Sequence, residues 1–352
     1  MSAICIKEIY FMCEYALPLN WHRDIWIPPR RGGIHGWPHG LCYLSYAGRR
    51  IFTRRPHPGL RFALPGNTVS PGLTGDVSQE ARRLLSVLYH HVLEIGEIRC
   101  RSHVTGGRTD RDSLLTRFQA LRLGMDGDMP LHYKKILLLD ADVLPITRYD
   151  SLFDLCTPAG ILLEDKRFAM EWDGSGAFKR DSEGEEGWCW HRHYRDVPHG
   201  ALIPKEITDR VAENPQNQGV NAAVWCLSPN MKEYLRVWSA VEEPEIADLV
   251  FRRFPWPEMQ LATLIWSGRW TNVDLRYASI GGYPSPDKVW GIHYAGLKPW
   301  KLRSRSLLHY AKYPDFQLWY GYFLAMVYAY PQLTQSAMLR RLQAFILENI
   351  FL

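Results

Sequence analysis

Residues 134–146 read KKILLLDADVLPI, a short apolar strand that ends in two aspartates. Four consecutive apolar residues, 136–139, are typical of a parallel-sheet strand that is buried on both faces. In open α/β sheets, ligands bind beyond the carboxyl ends of the strands, and Asp140 and Asp142 lie at such an end. Because side chains alternate along a strand, we expect both carboxylates on the same side, with Ala141 pointing away.

The two aspartates are open to three interpretations. Close carboxylates repel each other unless a cation lies beside them, and hard oxygen ligands favour Mn²⁺ or Mg²⁺. In a structural interpretation, the aspartates instead cap the turn or helix that follows the strand. In a third, Asp140 is the nucleophile of a haloacid-dehalogenase-like phosphatase, a class that also needs a downstream lysine and an acidic pair. The sequence does not show these clearly.

Strand-like and helical segments alternate along the chain. Helices are predicted over 78–95 with Ser78 as N-cap, from 112 or 113 to 123, and over 149–155, 230–240 and 257–266. Strands are predicted over 136–139, 221–227 and 289–293. This alternation predicts an α/β fold with an open, mainly parallel sheet flanked by helices.

The domain boundaries follow from changes in composition. Residues 1–65 are rich in Pro, Gly and Arg and have no clear periodicity, so they are predicted to form a divergent or partly disordered segment. The main domain is expected over 66–301. Residues 302–352 are predicted to be a helical extension because their C-terminal part is amphipathic.

Composition excludes several classes of protein. The chain has 352 residues, of which 46% are hydrophobic and 22% charged, so it can form a full core and wholesale disorder is excluded. Its net charge of +5 is dispersed, which argues against a nucleic-acid partner. Seven cysteines without CxxC spacing indicate reduced core thiols. With no signal peptide or transmembrane run evident, the predicted location is cytoplasmic.

A second segment favours the metal interpretation of the aspartates. Residues 289–301 read VWGIHYAGLKPWK, in which His293 ends a short apolar strand. Gly296 allows a close approach of the backbone, and the Lys298 ammonium can hold a phosphate as a point charge. An imidazole and two carboxylates form a three-ligand set for Mn²⁺ that leaves coordination sites for phosphate oxygens.

Five ordered blocks over about 113–301 carry a family resemblance. They are LLTRFQALRL, LLLDADVLPITRYDSLFDL, GVNAAVWCLSPN, PEMQLATLIW and HYAGLKPW. Together they resemble the glycogenin-like family of retaining glycosyltransferases, which also includes galactinol synthases. The chain departs from the family pattern in four places. Arg117 stands where Lys is common, Ala223 replaces the usual Gly, Met259 replaces the usual Gln, and one residue is missing between Gly296 and Lys298.

The resemblance implies a GT-A fold and transfer of a hexose, with retention, from a UDP-sugar to a carbohydrate, polyol or protein acceptor. It implies Mn²⁺, with Mg²⁺ as the alternative ion, and is compatible with a homodimer. The implied roles are these: Asp140, Asp142 and His293 as metal ligands, Lys298 and Gly296 on the diphosphate, and Arg117, Asn221 and Glu258 at the donor sugar. Asp142, Arg117 and Glu258 would be the catalytic group, and Asp140 would also bind substrate.

One alternative from another functional class is left open by the sequence. The departures at Ala223 and Met259, together with the N-terminal segment that lacks periodicity, are compatible with a catalytically inactive binding protein that keeps the nucleotide-sugar fold.

Overall fold

The computed structural model describes residues 44–46, 72–73, 77–89, 91–99, 113–162, 197–215, 217–280, 286–295, 298–301, 311 and 313–350. The strands of this part of the chain are β1 (Leu44–Tyr46), β2 (Gly72–Leu73), β3 (Leu93–Glu94), β4 (Ile136–Asp140), β5 (Val143–Pro145), β6 (Ala159–Leu162), β7 (Val220–Leu227), β8 (Thr271–Asn272), β9 (Ser279–Ile280) and β10 (Gly291–His293). The α-helices are α1 (Gln79–Leu88), α2 (Lys205–Glu213), α3 (Met231–Glu242), α4 (Pro244–Asp248), α5 (Pro257–Ile265), α6 (Pro314–Ala329) and α7 (Ala337–Asn349).

The central sheet has the strand order β1-β4-β7-β6-β8. The antiparallel strand β7 separates β4 from β6, whereas the two edge strands, β1 and β8, pair in parallel with their neighbours. All eight residues of β7 and residues 136–139 of β4 are buried. The predicted α/β class is therefore confirmed, with a sheet that mixes parallel and antiparallel pairs.

A second, three-stranded sheet of order β5-β10-β9 continues from the end of β4. Only Ala141 and Asp142 separate β4 from β5 in the chain. Strand β10 runs antiparallel to β5 in a register that sets His293 opposite Val143. This pairing places the end of β10 next to the two aspartates, although about 150 residues separate them in sequence.

The first predicted helix is correct at its start and wrong at its end. Ser78 is the N-cap of α1, and its hydroxyl accepts a hydrogen bond from the backbone N–H of Ala81. The helix stops at Leu88 rather than at residue 95, because Tyr89 adopts an extended backbone and β3 pairs with β2 instead. A local apolar pattern does not reveal such a strand partner.

The other predicted elements are found close to their expected places. Strand β7 and helices α3 and α5 are confirmed, and Asn230 caps α3 through its side chain. The segments predicted as helices near 113–123 and 149–155 form the 3₁₀ helices Leu114–Leu123 and Asp150–Asp154. Strands β1, β5, β6, β8 and β9 and helix α2 were not predicted, and β1 lies inside the segment expected to be divergent.

The thiols differ in exposure. Cys226 is buried, and burial raises the pKa of its thiol to about 12, as expected for an inert core cysteine. Cys156 is exposed, so the expectation of a core position is wrong there.

Two predictions concern residues that the structure does not describe. Most of residues 1–65, as well as Gly296, lie outside the described residues. Among the described helices, none has the length and apolar character that a membrane span needs.

Gly291 is the tightest point of the strand that presents His293. A Cβ added there would collide with the hydroxyl of Tyr149 and the carbonyl of Tyr277. We expect Gly291→Ala to lower the free energy of unfolding by about 2 kcal/mol through overpacking. Gly321→Ala, on α6 with open space around it, should instead raise it by about 0.5 kcal/mol. Urea denaturation of both variants checks this, and equal effects would contradict it.

Candidate metal centre

Three side chains with metal-ligating atoms converge at the carboxyl end of β4. Ligand atoms of Asp140, Asp142 and His293 all lie within 4.8 Å of one another. His293 Nε2 is 3.3 Å from Asp142 Oδ1 and 3.9 Å from Asp140 Oδ2. The structure therefore brings together the two aspartates and the histidine that the sequence singled out.

The backbone holds this cluster through the ladder between β5 and β10. His293 lies opposite Val143, and one step further along the Tyr294 N–H donates to the Asp142 carbonyl at 2.8 Å. Asp140 is the last residue of β4, where β1 pairs alongside with Tyr46 opposite Asp140. Both aspartates are thus fixed by sheet hydrogen bonds on either side of Ala141, which is itself buried.

Each aspartate is paired with its own cation. The Arg117 guanidinium donates through Nη2 to Asp140 Oδ1 and through Nη1 to the Ala222 carbonyl of β7, at 2.5 Å in the latter case. The Lys298 ammonium donates to Asp142 Oδ2 and to the Tyr294 carbonyl. Two buried or nearly buried carboxylates are therefore neutralised by two cations from distant parts of the chain.

The charge state of Asp142 reflects two opposing effects. Burial opposes ionisation of this side chain, which is 5% exposed. The Lys298 ammonium and the neighbouring His293 side chain outweigh burial and hold the pKa of the Asp142 carboxyl well below its usual range. Asp142 is therefore an anion at any physiological pH, which is the form that a metal ligand requires.

The residues present fit a divalent cation. Asp142 Oδ1 is buried and has no hydrogen-bond partner among the described residues, although it lies next to His293 Nε2. A buried carboxylate oxygen without a donor is costly unless a cation or water satisfies it. Two carboxylates and one imidazole are a donor set suited to Mn²⁺, with Mg²⁺ better matched to oxygen ligands alone.

The remaining predicted site residues lie on neighbouring elements. Asn221 is on β7, one residue before the carbonyl that Arg117 binds, and its Oδ1 accepts from the Ala223 N–H at 2.6 Å. Glu258 is buried in the first turn of α5. Their roles at a donor sugar stay predictions, as does that of Gly296, which lies outside the described residues.

Sequence reasoning missed two parts of this site. It did not anticipate that Arg117 would hold Asp140, because the salt bridge depends on how Leu114–Leu123 packs against the sheet. It also gave no role to Tyr294, whose backbone bonds both Asp142 and Lys298. The one indication of such a role in the sequence is that Tyr294 directly follows His293.

Comparisons with known proteins give distant likenesses. No family model matches the chain. An uncharacterised protein of Acanthamoeba polyphaga mimivirus is 24% identical over 238 residues, which are 64% of this chain and 69% of the viral protein. Since neither finding carries a described activity, the chain is not assigned to a family by its sequence relatives.

Several solved structures of glycosyltransferases are similar to the chain. The galactosyltransferase LgtC, in complex with donor and acceptor sugar analogues, has 10% identity and a TM-score of 0.44, covering 74% of this chain and 86% of LgtC. The bifunctional glycosyltransferase WbbM has 12% identity and a TM-score of 0.41, covering 73% of this chain. GlyE of Streptococcus pneumoniae TIGR4 has 12% identity and a TM-score of 0.38, covering 81% of this chain.

The lengths of these proteins differ from that of the chain. The chain spans 44% of WbbM and 57% of GlyE. At TM-scores below 0.5, the likeness does not by itself establish a shared activity. A function for the chain therefore has to come from the metal centre and from the sequence motifs that form it.

Proposed function

We propose that the chain is a Mn²⁺-dependent retaining glycosyltransferase that moves a hexose from a UDP-sugar to an acceptor. One observation carries the proposal: Asp140, Asp142 and His293 converge within 4.8 Å, and the Lys298 ammonium contacts the same cluster. Two carboxylates, an imidazole and a lysine at one strand end suit a metal–diphosphate complex. The UDP moiety, the hexose and retention come from the resemblance of the sequence motifs.

Each residue of the cluster has a defined task in this proposal. Asp140, Asp142 and His293 would hold the ion, which when bound neutralises negative charge on the departing nucleotide. Lys298 would place its ammonium on the diphosphate and stabilise the same charge. Because Asp140 ends β4, His293 ends β10 and Asp142 directly precedes β5, the sheet holds the three proposed ligands in place before an ion binds.

Arg117 contacts one of the proposed metal ligands, Asp140. Its Nη1 and Nη2 are committed to the Ala222 carbonyl and to Asp140, so the guanidinium bridges β7 and the end of β4. This geometry favours a role in holding Asp140 and the backbone beside Asn221. A contact between Arg117 and the donor sugar remains part of the proposal from the resemblance.

A panel of UDP-sugars tests the proposal directly. We expect UDP release with Mn²⁺ and one preferred UDP-hexose, measured as slow donor hydrolysis without an acceptor, and loss of release when EDTA is added. Calorimetry with UDP and Mn²⁺ gives the companion measurement. Binding of UDP without turnover of any donor would favour the inactive binding protein. Release of phosphate from an aryl phosphate, lost in Asp140→Asn, would favour the phosphatase.

A further inference from the structure

We propose that Tyr294 is a positioning residue that couples helix α6 of the C-terminal extension to the metal centre. The inference depends on the metal-binding part of the proposed function and adds a residue and an element to it. Residues beyond the last sequence motif would then belong to the working site, although they contribute no ligand themselves.

Tyr294 makes polar contacts in three directions within the described part of the chain. Its N–H donates to the Asp142 carbonyl at 2.8 Å, and its carbonyl accepts from the Lys298 ammonium. Its hydroxyl donates to the Asp315 carbonyl, in the first turn of α6, at 2.6 Å. One residue thus joins a metal-ligating aspartate, the phosphate-binding lysine and a helix that follows the domain.

Aromatic side chains of α6 also pack against Tyr294 and Trp300. The Tyr294 ring, which is buried, meets Phe316 of α6 edge to face with centroids 5.9 Å apart, and Trp300 at 6.3 Å. Trp300 in turn lies 5.4 Å from Trp319 of α6. Helix α6 therefore contacts the chain just before and just after Lys298, and both ends of this turn are held against one rigid element.

These contacts affect how rigidly Asp142 and Lys298 are held. The position of the Lys298 ammonium depends on the Tyr294 carbonyl, and the Asp142 backbone depends on the Tyr294 N–H. Without the hydroxyl bond to α6, Tyr294 has more freedom, and the ligand atoms spend less time in binding geometry. Groups that orient metal ligands from behind typically change metal affinity by about 10- to 100-fold when they are removed.

The test compares Tyr294→Phe with a matched control, Tyr149→Phe. The Tyr149 hydroxyl also donates to a backbone carbonyl, that of Tyr277, and is also buried, but it lies beside Gly291 at the other end of β10. Both changes remove one oxygen and leave the ring. Mn²⁺ binding to the full chain is measured by titration calorimetry without nucleotide, well below the melting temperature of either variant.

We expect Tyr294→Phe to raise the Mn²⁺ dissociation constant about tenfold, with unchanged stoichiometry, and Tyr149→Phe to leave it within about twofold. A purely structural role would lower the stoichiometry, as unfolded chains stop binding, without changing the dissociation constant of the folded ones. An unchanged dissociation constant in Tyr294→Phe, or an equal rise in Tyr149→Phe, overturns the inference alone. Absence of Mn²⁺ binding to the wild-type chain overturns the proposed function together with it.

Discussion

Asp142→Asn is expected to lower Mn²⁺-dependent UDP release by about 10³-fold, the scale on which a single electrostatic contact at a reacting centre acts. The amide keeps the shape of the side chain but removes the charge that faces His293 and Lys298. An amide oxygen is also a much weaker ligand for Mn²⁺ than a carboxylate. Release of UDP from the preferred donor, followed over a range of Mn²⁺ concentrations, measures the loss.

The matched control for this change is Asp154→Asn. Asp154 is exposed in the short helix Asp150–Asp154 and is separate from the metal centre, so we expect wild-type turnover. Circular dichroism establishes that both variants are folded. If Asp142→Asn turned over like the wild type at the same Mn²⁺ concentration, the assignment of Asp142 as a metal ligand would be wrong.

The three candidate metal ligands could be predicted because each is marked by a local pattern. Asp140 and Asp142 follow a run of four apolar residues, and His293 ends a second short apolar run. A strand buried on both faces leaves few places for charged side chains other than its end. The three residues could therefore be proposed as one site before their proximity was known, and the structure confirms that they converge.

The pairing that creates the proximity could not be predicted in the same way. Strand β5 has three residues and β10 has three, which is too short for a distinct periodic signal. Their register depends on the tertiary structure around them, in which a side chain larger than that of Gly291 would collide with Tyr149. The prediction of the end of α1 failed for a related reason, since β2 and β3, which pair with each other, have only two residues each.

Contacts made by long side chains also could not be predicted from the sequence. Arg117 lies in a segment whose residues are almost all buried, so its apolar pattern gives no indication of which face meets the sheet. The partner of its guanidinium depends on the antiparallel strand β7 lying beside β4. For the same reason the sequence did not connect α6 with the turn that carries Lys298.

Arg117→Met is expected to lower the free energy of unfolding by about 3 kcal/mol, because it leaves the carboxylate of Asp140 without its cation. The Arg117 side chain is 2% exposed and that of Asp140 is 18% exposed, so water compensates only in part. The bond to the Ala222 carbonyl is lost as well. Urea denaturation in the absence of metal measures the change.

The matched control is Arg122→Met in the same helical segment. Arg122 also pairs with an aspartate, Asp128, but the two side chains are 26% and 57% exposed, so we expect a much smaller loss than in Arg117→Met. Equal losses of unfolding free energy in the two variants would show that burial does not make the Arg117–Asp140 pair more stabilising than an exposed pair.

Two further measurements separate the charge of Asp140 from the packing of Arg117. If the uncompensated carboxylate causes the loss, Arg117→Met should cost less in an Asp140→Asn background than in the wild type, because the buried anion is already absent. Saturating Mn²⁺ should likewise reduce the difference in unfolding free energy between Arg117→Met and the wild type. A bound cation replaces the missing charge in the variant, and ligand binding stabilises the folded chain. If neither background nor metal changes the loss, Arg117 acts through packing against β7, and its pairing with Asp140 is incidental to the metal centre.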